Sequence, residues 1–228
     1  ASHAIGGKYQ DKPIGNCQYS DVTVFSFHPV KIITTGEGGM AVTNNKSLAK
    51  EMALLRSHGI THDSNLMTKP KDGQWFYQQI NLGFNYRLTD IQAALGVNQM
   101  QRLNTNIKKR QEIVNNYNVA LKELPITIPI QHANCSSSFH LYIIRLSVKD
   151  SSLSHKNLFD QLRTQGIGVN LHYIPVHTQP YYQELGFKHG DFPESELYYQ
   201  EAISLPIFPT LNKSQQEHVV STLQRLLK

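Results

Sequence analysis

Ser26-Phe27-His28-Pro29-Val30-Lys31-Ile32-Ile33-Thr34-Thr35-Gly36-Glu37-Gly38-Gly39-Met40 lies between two apolar, β-prone runs, residues 21–27 before it and residues 40–43 after it. Three glycines follow the lysine closely. Glycine admits positive φ and lets backbone approach a bound group with no Cβ in the way. An ordinary lysine titrates near about 10.4 and is a poor nucleophile at neutral pH until burial or cationic surroundings lower that value. Held at a strand-to-turn junction, Lys31 is a candidate nucleophile rather than a solvated charge; the plainer reading is a surface lysine beside a structural turn. Ser26, upstream, offers a hydroxyl that could hold a phosphate.

Composition bounds what this stretch can belong to. With 228 residues the chain can bury a sizeable core and form one large or two modest domains. A hydrophobic content of 39% with 17% charged residues is globular, without a charge block or low-complexity tract. The 22 basic against 17 acidic residues give +5, dispersed along the chain. That balance suits a phosphate-bearing ligand, and no basic stripe interleaved with aromatics argues for nucleic acid. Cys17 and Cys135 form no Cys-x-x-Cys arrangement, so a reduced, cytoplasmic compartment is the expectation. No apolar run reaches membrane-spanning length. The Asn-x-Ser/Thr matches at Asn45, Asn134 and Asn212 then read as chance.

Outward from the lysine, residues 9–14 read as a short hairpin and residues 40–43 as a returning strand. Asn44 or Asn45 can cap a helix carrying Leu48, Met52 and Leu55, stopped by Gly59. Strand, loop and helix alternate, which argues α/β. Between Ile60 and Leu82 periodicity disappears, and a loop this long is usually functional or mobile. Thr89 and Gln92 make a capping box. Ile91, Leu95, Leu103, Ile107, Val114, Tyr117, Leu121 and Leu124 then keep a helical period, in one long helix or two in succession. Past Pro125 a smaller α+β unit follows, with a strand over 140–146 and a helix on Leu158, Phe159 and Leu162 stopped by Gly166. Residues 167–174 read as a further strand, and Ser214 with Glu217 as the capping box of a closing helix. A metal site from His132, Cys135 and His140 matches no common zinc spacing and is discounted.

These stretches carry a resemblance. Ser26-Phe27-His28-Pro29-Val30-Lys31 followed by Gly36-Glu37-Gly38-Gly39 is similar to the pyridoxal-phosphate lysine motif of the DegT/DnrJ-type sugar aminotransferases. Gly83-Phe84-Asn85-Tyr86-Arg87 resembles a second motif of that family, and the likeness runs from Ala1-Ser2-His3 to Ser204-Leu205-Pro206-Ile207-Phe208-Pro209. It implies an aspartate-aminotransferase-like (fold type I PLP) large domain over residues 1–100, a linking helix over 101–124 and a small α+β domain over 125–228. The chain opens abruptly at Ala1 and lacks the family's preceding aspartate, which pairs with the pyridinium nitrogen. The N-terminal part of the family fold is therefore expected to be missing, and this chain alone to be inactive.

The resemblance also assigns roles. Lys31 becomes the Schiff-base and acid/base lysine for pyridoxal 5'-phosphate, Ser26 a phosphate ligand, and His3 a contact to the cofactor's phenolic oxygen. Asn85 reaches the cofactor phosphate of the partner subunit across a homodimer; from the residues alone it would be a turn residue. Arg87 serves structure or substrate phosphate. Residues 171–182 resemble a segment that folds back over the active site, where His172 and His177 are either substrate contacts or hydrogen-bonded framework. Phe27-His28-Pro29-Val30-Lys31 and Gly186-Phe187-Lys188-His189-Gly190-Asp191-Phe192-Pro193 are similar to the branch that aminates UDP-linked 4-keto-6-deoxy-N-acetylhexosamines with L-glutamate, as in pseudaminic acid synthesis. Two rivals stand beside it. One is a PLP-dependent sugar dehydratase, against which Lys31 argues; the other is an inactive fragment or pseudo-subunit that only dimerises or binds nucleotide sugar.

Overall fold

In the computed structural model, which describes residues 1–147 and 153–227, the chain forms two compact units. The first comprises residues 1–103 with 134–137, the second residues 104–133 with 138–228.

In the first unit, β1 (Lys8–Tyr9) and β2 (Lys12–Pro13) make the expected hairpin, and β8 (Cys135–Ser136) pairs with β1 from the other side. β3 (Thr23–Ser26) and β4 (Gly39–Val42) pair antiparallel from Thr23 opposite Val42 to Ser26 opposite Gly39, so the lysine stretch is the loop of a hairpin. Phe25 and Phe27 on β3 and just beyond it are buried, which anchors the base of that loop. Asn45 caps α1 (Lys46–Arg56), its side chain accepting from the Ser47 and Leu48 N–H groups. The stop differs from expectation. His58, not glycine, takes the first left-handed position (φ 64°), and Gly59 follows by donating its N–H to the Leu54 carbonyl at 3.0 Å.

Residues 60–82, expected as an unstructured loop, contain β5 (Ile60–Thr61) paired with β6 (Gln78–Gln79) and a 3-10 turn at Ser64–Leu66 capped by Asp63. Local polar bonds replace the missing apolar periodicity: the Gln78 side chain accepts from the Thr68 N–H at 2.7 Å, and Gln79 donates to the His58 carbonyl at 3.0 Å. The capping box closes as expected, and two helices follow in succession: α2 (Asp90–Gln101) and α3 (Leu103–Leu121). The buried stripe does not run through both. α2 buries no residue and leaves Ile91 85% exposed, because it belongs to the first unit while α3 is built into the core of the second.

That core packs α3, α4 (His155–Thr164) and α7 (Lys213–Leu227) against a sheet ordered β10 (Ala202–Leu205), β9 (Tyr142–Leu146), β7 (Ile126–Thr127). Tyr142, Ile144 and Leu146 alternate inward on β9, and Tyr117, Leu121, Leu158, Leu162, Ile203 and Leu223 are fully buried around them. Each such aliphatic side chain contributes roughly 1.5–3 kcal/mol of burial. The Tyr117 and Tyr142 rings lie 4.9 Å apart, and their hydroxyls donate to the Pro206 carbonyl and the Asn118 side chain. Burial pushes both phenols well above the ordinary tyrosine value. Arg110 is buried in the same unit and donates to the carbonyls of Phe139 and Ile207, each at 3.0 Å.

Two expectations fail here. Residues 167–174 form no strand; only Asn170 bridges to Ser204, because the Asn170 side chain takes the Leu171 N–H at 2.8 Å and turns the chain away. The closing helix is boxed by Asn212 and Gln215, not Ser214 and Glu217: each side chain accepts the other's backbone N–H, at 2.9 and 3.0 Å. Among the described residues every strand pair is antiparallel, so the α/β alternation along the chain does not close parallel β-α-β units.

Candidate active site

Lys31 sits in a loop stitched at its neck. The Phe27 carbonyl accepts the Thr35 N–H and the Thr34 hydroxyl, each at 3.0 Å, while the Phe27 N–H donates to Gly38 at 2.8 Å. Inside that neck Lys31 closes a turn on the His28 carbonyl, and the adjoining Ile32 and Ile33 are buried. The lysine backbone is thus fixed by apolar anchors on its C-terminal side, while its side chain stays half-buried. Burial lowers its ammonium pKa below the ordinary lysine value. Ser26 is half-buried at the base of the same loop, its hydroxyl accepting the His28 N–H at 3.4 Å, which leaves its own proton free to donate. The exposed His28 and Glu37 side chains stand 4.0 Å apart across the loop, an ion-pair geometry worth little in water.

The second motif meets this loop directly. A Cβ on Gly38 would stand 2.9 Å from the Leu88 side chain, and the Gln92 amide donates to the Glu37 carbonyl at 3.1 Å. Asn85 and Arg87 are exposed on the extended run leading into α2. That run is tied to the end of α1: Phe84 donates to Leu55, His58 to Phe84 and Tyr86 to Arg56, at 2.7, 2.8 and 3.0 Å. Gly83 makes the approach possible, since a Cβ there would lie 2.3 Å from the Gly59 nitrogen. Phe84 and Tyr86 stack at 4.8 Å, which places Asn85 on the opposite side of the extended backbone. His3 is half-buried near the start of the unit, in the turn closed by the Ala4 N–H on the Ala1 carbonyl.

The structure therefore joins Ser26, Lys31 and the segment carrying Asn85 and Arg87 through one set of contacts in the first unit. His172 and His177 lie in the second unit. His172 Nδ1 is 2.7 Å from the Ser204 hydroxyl, and His177 is buried with Nε2 2.7 Å from Glu196 Oε1. The donor role of Gln92 and the acceptor role of Glu196 escaped sequence reasoning. Gln92 was legible only as a cap, and Glu196 reads in sequence as an ordinary first-turn acid after Pro193. Among the described residues no group of three His, Cys, Asp or Glu side chains is placed to hold a metal ion, and no helix is long and apolar enough to cross a membrane.

Residues 1–224 match the DegT/DnrJ/EryC1/StrS aminotransferase family. The chain belongs to this family. It is similar to the UDP-4-amino-4,6-dideoxy-N-acetyl-beta-L-altrosamine transaminase of Campylobacter jejuni, 37% identical over 230 residues, covering 100% of this chain and 57% of the relative. Among solved structures it resembles Helicobacter pylori PseC, an aminotransferase involved in the biosynthesis of pseudoaminic acid, with a TM-score of 0.88 at 32% identity over 100% of this chain and 58% of that one. It also resembles Spr1654 from Streptococcus pneumoniae, whose PMP form gives a TM-score of 0.87 at 28% identity over 99% and 57% of the two chains, and which is also solved with PLP. The chain spans 57–59% of the length of the curated relatives it matches.

Proposed function

We propose that this DegT-family chain serves a PLP-dependent transamination, moving an amino group from L-glutamate to a UDP-linked 4-keto-6-deoxy-N-acetylhexosamine in a pathway of the pseudaminic acid type. The observation that carries the reading is the seat of Lys31: a burial-lowered amine in a stitched loop whose base presents the Ser26 hydroxyl. That donor set fits pyridoxal phosphate, with Lys31 Nζ for the aldehyde carbon and Ser26 for a phosphate oxygen. When bound, the cofactor supplies the electron sink that makes the donor's α-carbon acidic.

The chain's own residues supply the rest. Lys31 Nζ would hold the cofactor and, as base and then acid, would carry the proton of the donor α-carbon. Ser26 Oγ would donate to the phosphate, His3 would contact the phenolic oxygen, and the exposed Asn85 would reach the partner subunit's cofactor in a homodimer. Arg87 in the first unit, and His172 and His177 in the second, are the candidate contacts to the nucleotide sugar.

Borohydride treatment of protein incubated with pyridoxal phosphate, followed by intact mass and peptide mapping, tests the reading. A reduced adduct on Lys31, absent in Lys31→Ala, is the expected result; failure of wild-type protein to form it overturns the proposal.

A further inference from the structure

Glu196 lies in the first turn of α6 (Pro193–Glu201) and is only 6% exposed. A buried carboxylate is costly unless donors satisfy it. Here His177 Nε2 and the Gly190 N–H both reach Oε1, each at 2.7 Å, and His189 Nε2 stands 3.0 Å from Oε2. The donors come from two stretches: the 3-10 turn at Val176–Thr178, and the loop between α5 (Pro180–Glu184) and α6. The Phe192 ring adds an edge contact to His177 at 4.8 Å. Little else holds these stretches down. Between residues 171 and 195 only Pro175 and His177 are buried, and α5 buries nothing.

We propose that Glu196 is a positioning residue that latches residues 176–192 to α6 through His177, the Gly190 amide and the exposed His189. What the latched stretch faces rests on the transaminase reading above; the latch itself does not. His189 is 77% exposed, so of the three groups on the carboxylate it stands at the solvent edge of the latch. His177 and His189 are the titratable groups that meet the carboxylate among the described residues. Asp191, in the same loop, accepts the Lys188 N–H; Glu194 is exposed on the first turn of α6; and Arg145 pairs with Glu201 at the far end of that helix. The His177 hydrogen bond, foremost, holds the Glu196 carboxyl below the usual carboxylate range. A depressed carboxylate stabilises the fold above its unfolded value of about 4.3 and loses that contribution as pH falls through the folded value. The latch thus holds while Glu196 is ionised and opens in acid, as pH falls through the carboxyl's lowered folded value.

Proton–nitrogen NMR of the whole chain tests this through the Gly190 amide. In wild type its proton shift is expected to move below the ordinary carboxylate range, where Glu196 takes up its proton. Glu196→Gln removes that step, and His189→Gln, an exposed change that leaves the core untouched, moves it to higher pH. A Gly190 amide with no such step in wild type, or one that keeps it in Glu196→Gln, overturns the latch. Adduct formation at Lys31 reports separately: a working latch in protein that forms no adduct would sink the transaminase reading alone.

Discussion

Gln92 Nε2 donates to the Glu37 carbonyl at 3.1 Å, while its Oε1 accepts the Thr89 N–H at 3.0 Å to close the capping box of α2. One side chain therefore starts the helix and holds the far limb of the lysine loop. Only an amide can do both, since a carboxylate has no proton to give. Gln92→Glu should keep the cap and helix content but release the loop. Hydrogen exchange over residues 34–39 is expected to speed up, and the yield of reduced cofactor on Lys31 to fall. Gln92→Ala should also lose the reciprocal half of the box, the bond to the Thr89 N–H, at about 0.5–1.5 kcal/mol, visible as a lower melting temperature, while the Thr89 hydroxyl keeps its bond to the backbone N–H of residue 92.

Lys31 and Lys156 should titrate on opposite sides of an ordinary lysine. Burial lowers Lys31, whereas the hydrogen bond that Lys156 donates to Asp160 raises Lys156. In cofactor-free protein whose lysines carry carbon-13 dimethyl labels, the Lys31 resonance should move at lower pH than the bulk and that of Lys156 at higher pH. For Lys31 the unfolded chain binds the proton more readily, so its penalty on stability eases as pH rises through the folded value. Lys156 contributes below the unfolded value and loses its contribution as pH rises through the folded one.

Gly83→Ala should detach the Asn85 segment without touching the lysine loop. The new Cβ would lie 2.3 Å from the Gly59 nitrogen and 2.7 Å from the Leu55 carbonyl, so backbone must shift. A loss of roughly 1–3 kcal/mol is expected by urea denaturation, with the reduced adduct at Lys31 still formed.

Arg110 anchors the second unit by donating to the backbone carbonyls of Phe139, His140 and Ile207. Burial lowers its guanidinium to about 10. Arg110→Met should cost at least about 2 kcal/mol, because buried carbonyls lose their donor. Circular dichroism melts should show the drop, and Arg110→Lys should recover only part of it, lacking the planar fork.

How far sequence reached depended on how local the cause was. The lysine hairpin, the Asn45 cap and the box of Thr89 with Gln92 are each decided within a few residues, and each forms as expected. The closing helix shows the limit of the same logic: Asn212 with Gln215 and Ser214 with Glu217 both satisfy the pattern, and the first wins in the fold. Residues 167–174 have strand composition, yet a side-chain bond at Asn170 breaks the ladder after one bridge. Arg110 and Glu196 were illegible because their partners lie up to 97 residues away, or in a loop with no pattern of its own.

The pairing of β8 with β1 has a consequence for how the chain can be divided. Residues 134–137 belong with the first unit although residues on both sides of them belong to the second. The polypeptide is interleaved, and no single cut yields two self-sufficient pieces. A chain severed after residue 103 would strip the first hairpin of its outer strand and leave Tyr9 facing Cys135 on a different molecule. Recombined halves should then need each other to become protease-resistant, as in split-protein complementation, and inherited exchange of one half for a relative's would have to carry the 134–137 strand with it.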